Sequence, residues 1–241
     1  MDEAEQLSEL LAHNPPHPNR PIQLEEFVVG EESSFETFSV DGKPYWHSLS
    51  HYYPSPLTVM TNPWIMWRMV LPREIDEASY DDVREVGYQA LQALGMTTGV
   101  THMEWFRRED GRIAVGEIAA RPPGEQIVMM INRAHDVSFY AMWAQLMVQD
   151  TFEVPRTRRY AVGTLFLRGI GGGRVKAVHG LQEVQALYGE MVTDVQIPQP
   201  GQPAGVSYEG EGYLILRHSQ TEKVKEALDF IASRVRVEMV Q

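Results

Sequence analysis

The chain has 241 residues, 43% of them hydrophobic and 22% charged, the composition of a globular protein with room for one large domain or two modest ones. A formal net charge of −12 argues against general binding to nucleic acid or acidic membrane, both of which want a basic face, but not against nucleotides, whose charge metal ions can offset. Cysteine is absent, which excludes disulfides, thiolate metal sites and a cysteine nucleophile; no 18-residue apolar run and no signal peptide is present, so the expected location is cytoplasmic.

Residues Asp2–His13 read as a helix, with Leu7, Leu10 and Leu11 as a short apolar stripe and acids in the first turn. The following NPPHPNRP is a connector. Gln23–His51 reads as strand, turn at Gly30, strand, turn at Asp41-Gly42, strand, which places Glu36 opposite His47 and Phe38 opposite Tyr45. The acids Glu25, Glu26, Glu31 and Glu32 are dense for so short a piece, a pattern that commonly covers a solvated sheet edge. Tyr52–Arg73 is proline-punctuated and rich in Trp and Met, a long ordered loop ending in a short strand; it either covers a ligand or plugs the core. Ser79–Leu94 is the clearest helix, with Ser79 as cap, Asp82 three residues on, and Gly95 as its stop.

The stretch Val100–Gly124, VTHMEWFRREDGRIAVGEIAARPPG, is the most informative. Two strand-like runs flank Asp110-Gly111, a strong hairpin signal. With those two as the loop, Arg107 faces Ala114, Trp105 faces Gly116, Glu104 faces Glu117 and His102 faces Ala119. Directly opposed carboxylates repel, so they share a proton, take basic partners or hold a cation; a surface pair bridged by Arg or Lys is the plain alternative. Arg121 follows Glu117 at an even offset and would share its face if the strand ran on into Pro122-Pro123. His135–Gln149 is read as a further helix. Histidines such as His102 and His135 are more often core or capping groups than ligands.

From Arg159 the character changes. Tyr160–Arg168 and Arg174–His179 read as a hairpin around GIGGG, followed by a short helix near Leu181–Leu187, a β-rich piece over Gly189–Arg217 and a helix over Thr221–Val235. No Gly-Lys-Ser/Thr follows the glycines, so they are not a P-loop.

Taken in order, LEEFVVGEE (residues 24–32), then a sheet, then His102-x-Glu104, then Glu117-Ile118-Ala119-Ala120-Arg121-Pro122 resembles the C-terminal half of an ATP-grasp ligase, most like the carboxylate–amine (amino-acid) ligase branch. The resemblance implies an α+β fold: residues 1–21 as helix and linker, 22–155 as the nucleotide- and metal-binding subdomain, an antiparallel sheet with flanking helices, and 156–241 as a small α+β subdomain. It implies that Glu25 meets the adenine amino group, that Phe27 and Val28 supply backbone hinge contacts, and that Glu32 holds the ribose hydroxyls. Glu104 and Glu117 match the carboxylates that bridge Mg²⁺ (or Mn²⁺) to the ATP phosphates, and Arg121 matches the arginine that meets the acyl phosphate or substrate carboxylate. His102 is a candidate contact for substrate or a metal-bound water. The implied partners are ATP and small carboxylate and amine substrates.

Two departures from the family pattern stand out. Ala119 occupies the position where many members carry a metal-binding Asn, although some purine-pathway members also have Ala. The phosphate-gripping lysines of the family's other half have no counterpart, since Lys43 is the only lysine before residue 170. The expectation is therefore a C-terminal half completed by a preceding segment, by a separate chain or by self-association, or else a remnant that binds nucleotide without catalysis.

Overall fold

Strand alternation, rather than helix packing, organises the molecule. The computed structural model describes residues 4–124, 126–153 and 157–241. After an outlying helix α1 (Ala4–His13), which buries no residue, the strands are β1 (Gly30–Val40), β2 (Lys43–Tyr53), β3 (Arg68–Leu71), β4 (Gly99–Arg108), β5 (Ile113–Ala119), β6 (Ala161–Leu167), β7 (Arg174–His179), β8 (Val192–Gln196), β9 (Gly212–His218) and β10 (Arg236–Val240). Eight of them form one antiparallel sheet in the order β5-β4-β1-β2-β3-β6-β9-β8, while β7 and β10 form a separate two-stranded sheet. The α+β reading therefore holds: antiparallel strands with helices on both faces. The boundary drawn between 155 and 156 lies outside the described residues; β3 and β6, on either side of it, are hydrogen-bonded neighbours.

The helices are α2 (Pro56–Thr61), α3 (Asp81–Ala93), α4 (Ile127–His135), α5 (Phe139–Gln149), α6 (Leu181–Tyr188) and α7 (Thr221–Arg234). One face of the sheet packs Phe38, Met69, Val100 and Phe166 beneath α4 and α5. On the other face, Phe35, Met103 and Trp105 meet α3, and Leu165, Leu214 and Leu216 meet α7. Among the described residues, no helix is long and apolar enough to cross a membrane.

Several local expectations are corrected. Residues 24–29 belong to no helix or sheet, and Gly30 opens β1 instead of turning the chain. A Cβ there would lie 2.5 Å from the Arg107 carbonyl oxygen, so glycine is what lets β1 begin against β4. Ser79 sits in a single 3₁₀ turn and does not cap α3, which begins at Asp81. Helix α4 precedes the expected one, and α5 begins at Phe139, capped by Ser138, rather than at His135. Arg174–His179 is not the return strand of Tyr160–Arg168.

Candidate functional site

The hairpin β4–β5 turns through three loop residues instead of two: the Arg108 amide donates to the Arg112 carbonyl, and Gly111 takes a positive φ of 82°. Near the turn Arg107 therefore faces Ile113 and Trp105 faces Val115, one residue from the two-residue-loop count. A bulge between Trp105 and Glu104 then absorbs Gly116 and restores the register, so that Glu104 does face Glu117 and His102 does face Ala119. The bulge matters chemically. Without it Glu117 would pair with Met103 and point toward α3; one extra residue turns it to the opposite face. Gly116 fits because a Cβ there would meet Phe106 Cε2 at 2.8 Å.

Cross-strand pairing puts Glu32 beside Phe106, Ser34 beside Glu104 and Glu36 beside His102. Directly paired residues share a face, so β1, β4 and β5 present one strip containing Glu32, Glu104, Glu117, Glu36 and His102. The solvent end of this strip floors a cleft of about 820 Å³ lined also by Glu25, Glu26, Phe27, Val28, Val29, Leu57, Thr58, Met60 and Arg108. The stretch Tyr52–Arg73 thus does two things. Trp67 and Val59 lie in the core, while Leu57, Thr58 and Met60 wall the cleft.

The electrostatics are those of concentrated acid. Burial, and then the neighbouring Glu104 charge, pushes the Glu32 carboxyl up to about 7. Glu26 instead accepts two bonds from Arg108, at 2.6 and 2.8 Å, and is held below the usual carboxylate range by them. Glu25 accepts from Gln23. Among the described residues, no group of three or more His, Cys, Asp or Glu is close enough to hold a metal unaided. Two register-paired carboxylates do match a hard divalent ion, which usually takes one or two carboxylates together with substrate phosphates.

His102 and Arg121 lie elsewhere. His102 is 3% exposed and does not line the cleft; its Nδ1 is 2.9 Å from Glu36 Oε1 and its Nε2 is 4.0 Å from Glu104 Oε1. Burial opposes a charge on His102, but the hydrogen bond and negative charge of Glu36 outweigh it, and the imidazole is held above its ordinary range. Arg121 lies beyond the end of β5, donates to the Pro122 carbonyl at 3.1 Å, and lines a second cleft of about 520 Å³ with Leu91, Met96, Ile118, Trp143 and Met147. His135 ends α4, buried against Arg158. The sequence reading missed Glu36 as part of this strip because it set Glu36 opposite His47. A bulge that leaves Tyr45 outside the ladder moves Glu36 to Ser48.

No protein-family model matches the chain. Over 122 residues it is 29% identical to the L-arginine-specific L-amino acid ligase of Bacillus subtilis, an alignment covering 51% of this chain and 29% of that protein. Its structure is similar to the L-amino acid ligase from Bacillus licheniformis, with a TM-score of 0.77 at 19% identity over all of this chain and 61% of the other. It is also similar to phosphoribosylglycinamide synthetase from Anaerococcus prevotii, with a TM-score of 0.67 at 13% identity over 89% of this chain and 55% of that one. The fold matches part of the ATP-grasp fold of these enzymes. In both sequence and structure the likeness includes L-amino acid ligases. The chain spans 29% of the curated relative's length and 61% of the Bacillus licheniformis ligase.

Proposed function

We propose that this chain is the nucleotide- and Mg²⁺-holding half of an ATP-dependent carboxylate–amine ligase acting in the cytoplasm. The observation that carries the reading is the convergence of the 25–29 segment, Glu32 and the Glu104–Glu117 pair on one cleft. In this reading the edge formed by Glu25, Phe27 and Val28 receives the adenine, and Glu32 the ribose. Apolar Leu57 and Met60 wall the base from water. Glu104 and Glu117 hold Mg²⁺ (or Mn²⁺), which when bound neutralises charge on the phosphate oxygens. Arg121, past the end of β5, meets the acyl phosphate or substrate carboxylate.

The reaction is transfer of the γ-phosphoryl group of ATP to a carboxylate oxygen, giving an acyl phosphate and ADP. An amine nitrogen then attacks the acyl carbon, the C–O bond to phosphate breaks, and an amide and inorganic phosphate leave. Positioning and charge neutralisation supply most of such catalysis, and the family's other half would add the phosphate-gripping cations. A second reading, nucleotide binding without turnover, draws on one observation. Among the described residues, Arg108 is the one cationic side chain lining the cleft, and Glu26 already holds it.

Calorimetric titration of ATP with and without Mg²⁺ tests the proposal. Metal-dependent binding is expected for the 241-residue chain, and Glu104→Gln should abolish the metal dependence. Unchanged Mg²⁺-ATP affinity in that variant would remove the assignment of Glu104. A search for amide formation, with the preceding half supplied, separates ligase from binding module.

A further inference from the structure

A buried acid lies directly behind the cleft, and nothing in the nucleotide reading uses it. Glu36 is 0% exposed, in the middle of β1, where an apolar residue would fill the space without desolvating a carboxylate. Its Oε1 is bonded to His102 Nδ1 at 2.9 Å, and its Oε2 is buried with no hydrogen-bond partner. Arg158, a buried cation that feels the Glu36 charge, spends its guanidinium on the Pro72 carbonyl, Ser48 Oγ and His135 Nε2 without bonding Glu36. Among the described residues, Glu36 therefore has one side-chain hydrogen-bond partner, a histidine whose other nitrogen faces Glu104.

We propose that Glu36 and His102 are positioning residues for Glu104: the buried acid fixes the imidazole ring, and the ring's Nε2–H steers the Glu104 carboxylate toward its partner Glu117. The inference rests on the reading of Glu104 as a metal ligand. Metal-binding side chains are oriented by a second layer of hydrogen bonds, and loss of that layer typically costs 10–100-fold in metal affinity. Here the layer is built from cross-strand neighbours: Glu36 pairs with His102 between β1 and β4, and Glu104 follows His102 two residues along on the same face. A carboxylate oxygen stands at each ring nitrogen, Glu36 Oε1 at Nδ1 and Glu104 Oε1 at Nε2, so the ring lies between the two acids. The 4.0 Å separation from Glu104 Oε1 exceeds a hydrogen bond by about 1 Å. The Glu104 side chain is 37% exposed at the cleft floor, while the buried ring is bonded to Glu36 on its other side.

The test is Mn²⁺ titration of the 241-residue chain at fixed ADP, followed by loss of the free-Mn²⁺ resonance signal, with metal-free ADP affinity measured by calorimetry. His102→Asn should raise the half-saturating Mn²⁺ concentration by about 10-fold or more and leave metal-free ADP affinity unchanged. Glu36→Gln, which keeps an acceptor for Nδ1–H, should shift it less in the same direction. The double variant should be no weaker than His102→Asn alone, because Glu36 acts through His102. An unchanged half-saturation point in folded His102→Asn, or additive shifts in the double variant, would overturn the inference while sparing the nucleotide reading. If His102→Asn does not fold, Glu36→Gln decides: an unshifted value overturns the proposal. Failure of the unsubstituted chain to bind Mn²⁺ with ADP would sink both this inference and the function on which it rests.

Discussion

The two ends of the large sheet bury their central strands to a similar depth and fill them with opposite chemistry. Strand β6 is buried along its whole length and is made almost entirely of apolar residues, with Leu165, Phe166 and Leu167 inside the core. Strand β1 is buried from Ser33 to Ser39, yet five of those seven residues are polar: Ser33, Ser34, Glu36, Thr37 and Ser39. Its neighbour β2 continues the theme with Ser48 and Ser50, and Ser34 Oγ bonds Ser50 Oγ at 2.5 Å. Buried polar groups cost free energy unless they are paired, and each buried pair fixes one arrangement where an apolar core tolerates several, although Glu36 Oε2 and Thr37 Oγ1 find no partner among the described residues. The apolar end supplies stability; the polar end sits directly under the acidic cleft and supplies position.

Substitution at the apolar end should produce the largest loss of stability. Phe166 stacks on Trp67 with ring centroids 5.2 Å apart and planes 17° from parallel. Phe166→Ala removes that contact and leaves a cavity at the centre of the sheet, with an expected cost of about 3–5 kcal/mol. Urea unfolding measures it. Under conditions where the variant remains folded, the Mg²⁺ dependence of ATP binding should be unchanged; a shift in metal affinity would show that the two ends are not separable.

Acid should attack the polar end next. His47 and His51 on β2 are each pushed down to about 4, chiefly by burial. His51 bonds Ser33 Oγ at 2.9 Å and Tyr80 Oη at 3.0 Å. In the unfolded chain both imidazoles take up protons near pH 6.5, so between that value and about 4 the unfolded state binds more protons. Their contribution to stability is complete above about pH 6.5 and is lost as pH falls toward 4, on the order of 2–3 kcal/mol for each. His51→Gln should flatten the fall in melting temperature over that window. An equal slope in the variant would show that His51 is not one of the groups responsible.

The same division explains what was legible in the sequence. The Glu104–Glu117 and His102–Ala119 pairings emerge from counting back from Asp110-Gly111, but through two one-residue offsets that cancel: a three-residue loop and the bulge at Gly116. The β1–β2 hairpin has no second offset to cancel the bulge at Tyr45, so Glu36 falls opposite Ser48 instead of His47. A bulged residue leaves no trace in a two-residue alternation beyond an exposed side chain, and Tyr45 is 65% exposed. Helix α4, IVMMINRAH, was missed because a short apolar run after Pro-Pro-Gly has no distinguishing period. The β7–β10 pairing joins residues about sixty apart, a separation that no local signal encodes. The segment 24–29 has strand composition but no strand partner among the described residues, and its Phe27 and Val29 remain exposed at the cleft edge.

The smallest expected effect has the opposite sign and bears most directly on the contrast. Glu32, on β1, is pushed up to about 7 by burial and by the Glu104 charge. Its ordinary value is 4.5, so between 4.5 and about 7 the folded chain binds more protons than the unfolded one, and stability falls as pH rises through that window. Glu32→Gln removes the penalty. The variant should melt at the same temperature as the unsubstituted chain near pH 4.5 and be more stable near pH 7.5, by about 1 kcal/mol once solvent screening at this partly exposed group is allowed for. Addition of Mg²⁺ with nucleotide should shrink that advantage, because a cation beside Glu104 offsets the repulsion that Glu32 feels. A destabilised variant at pH 7.5 would mean that Glu32 contributes to the core as the apolar residues of β6 do, and the division between a stabilising end and a positioning end would fail at the cleft itself.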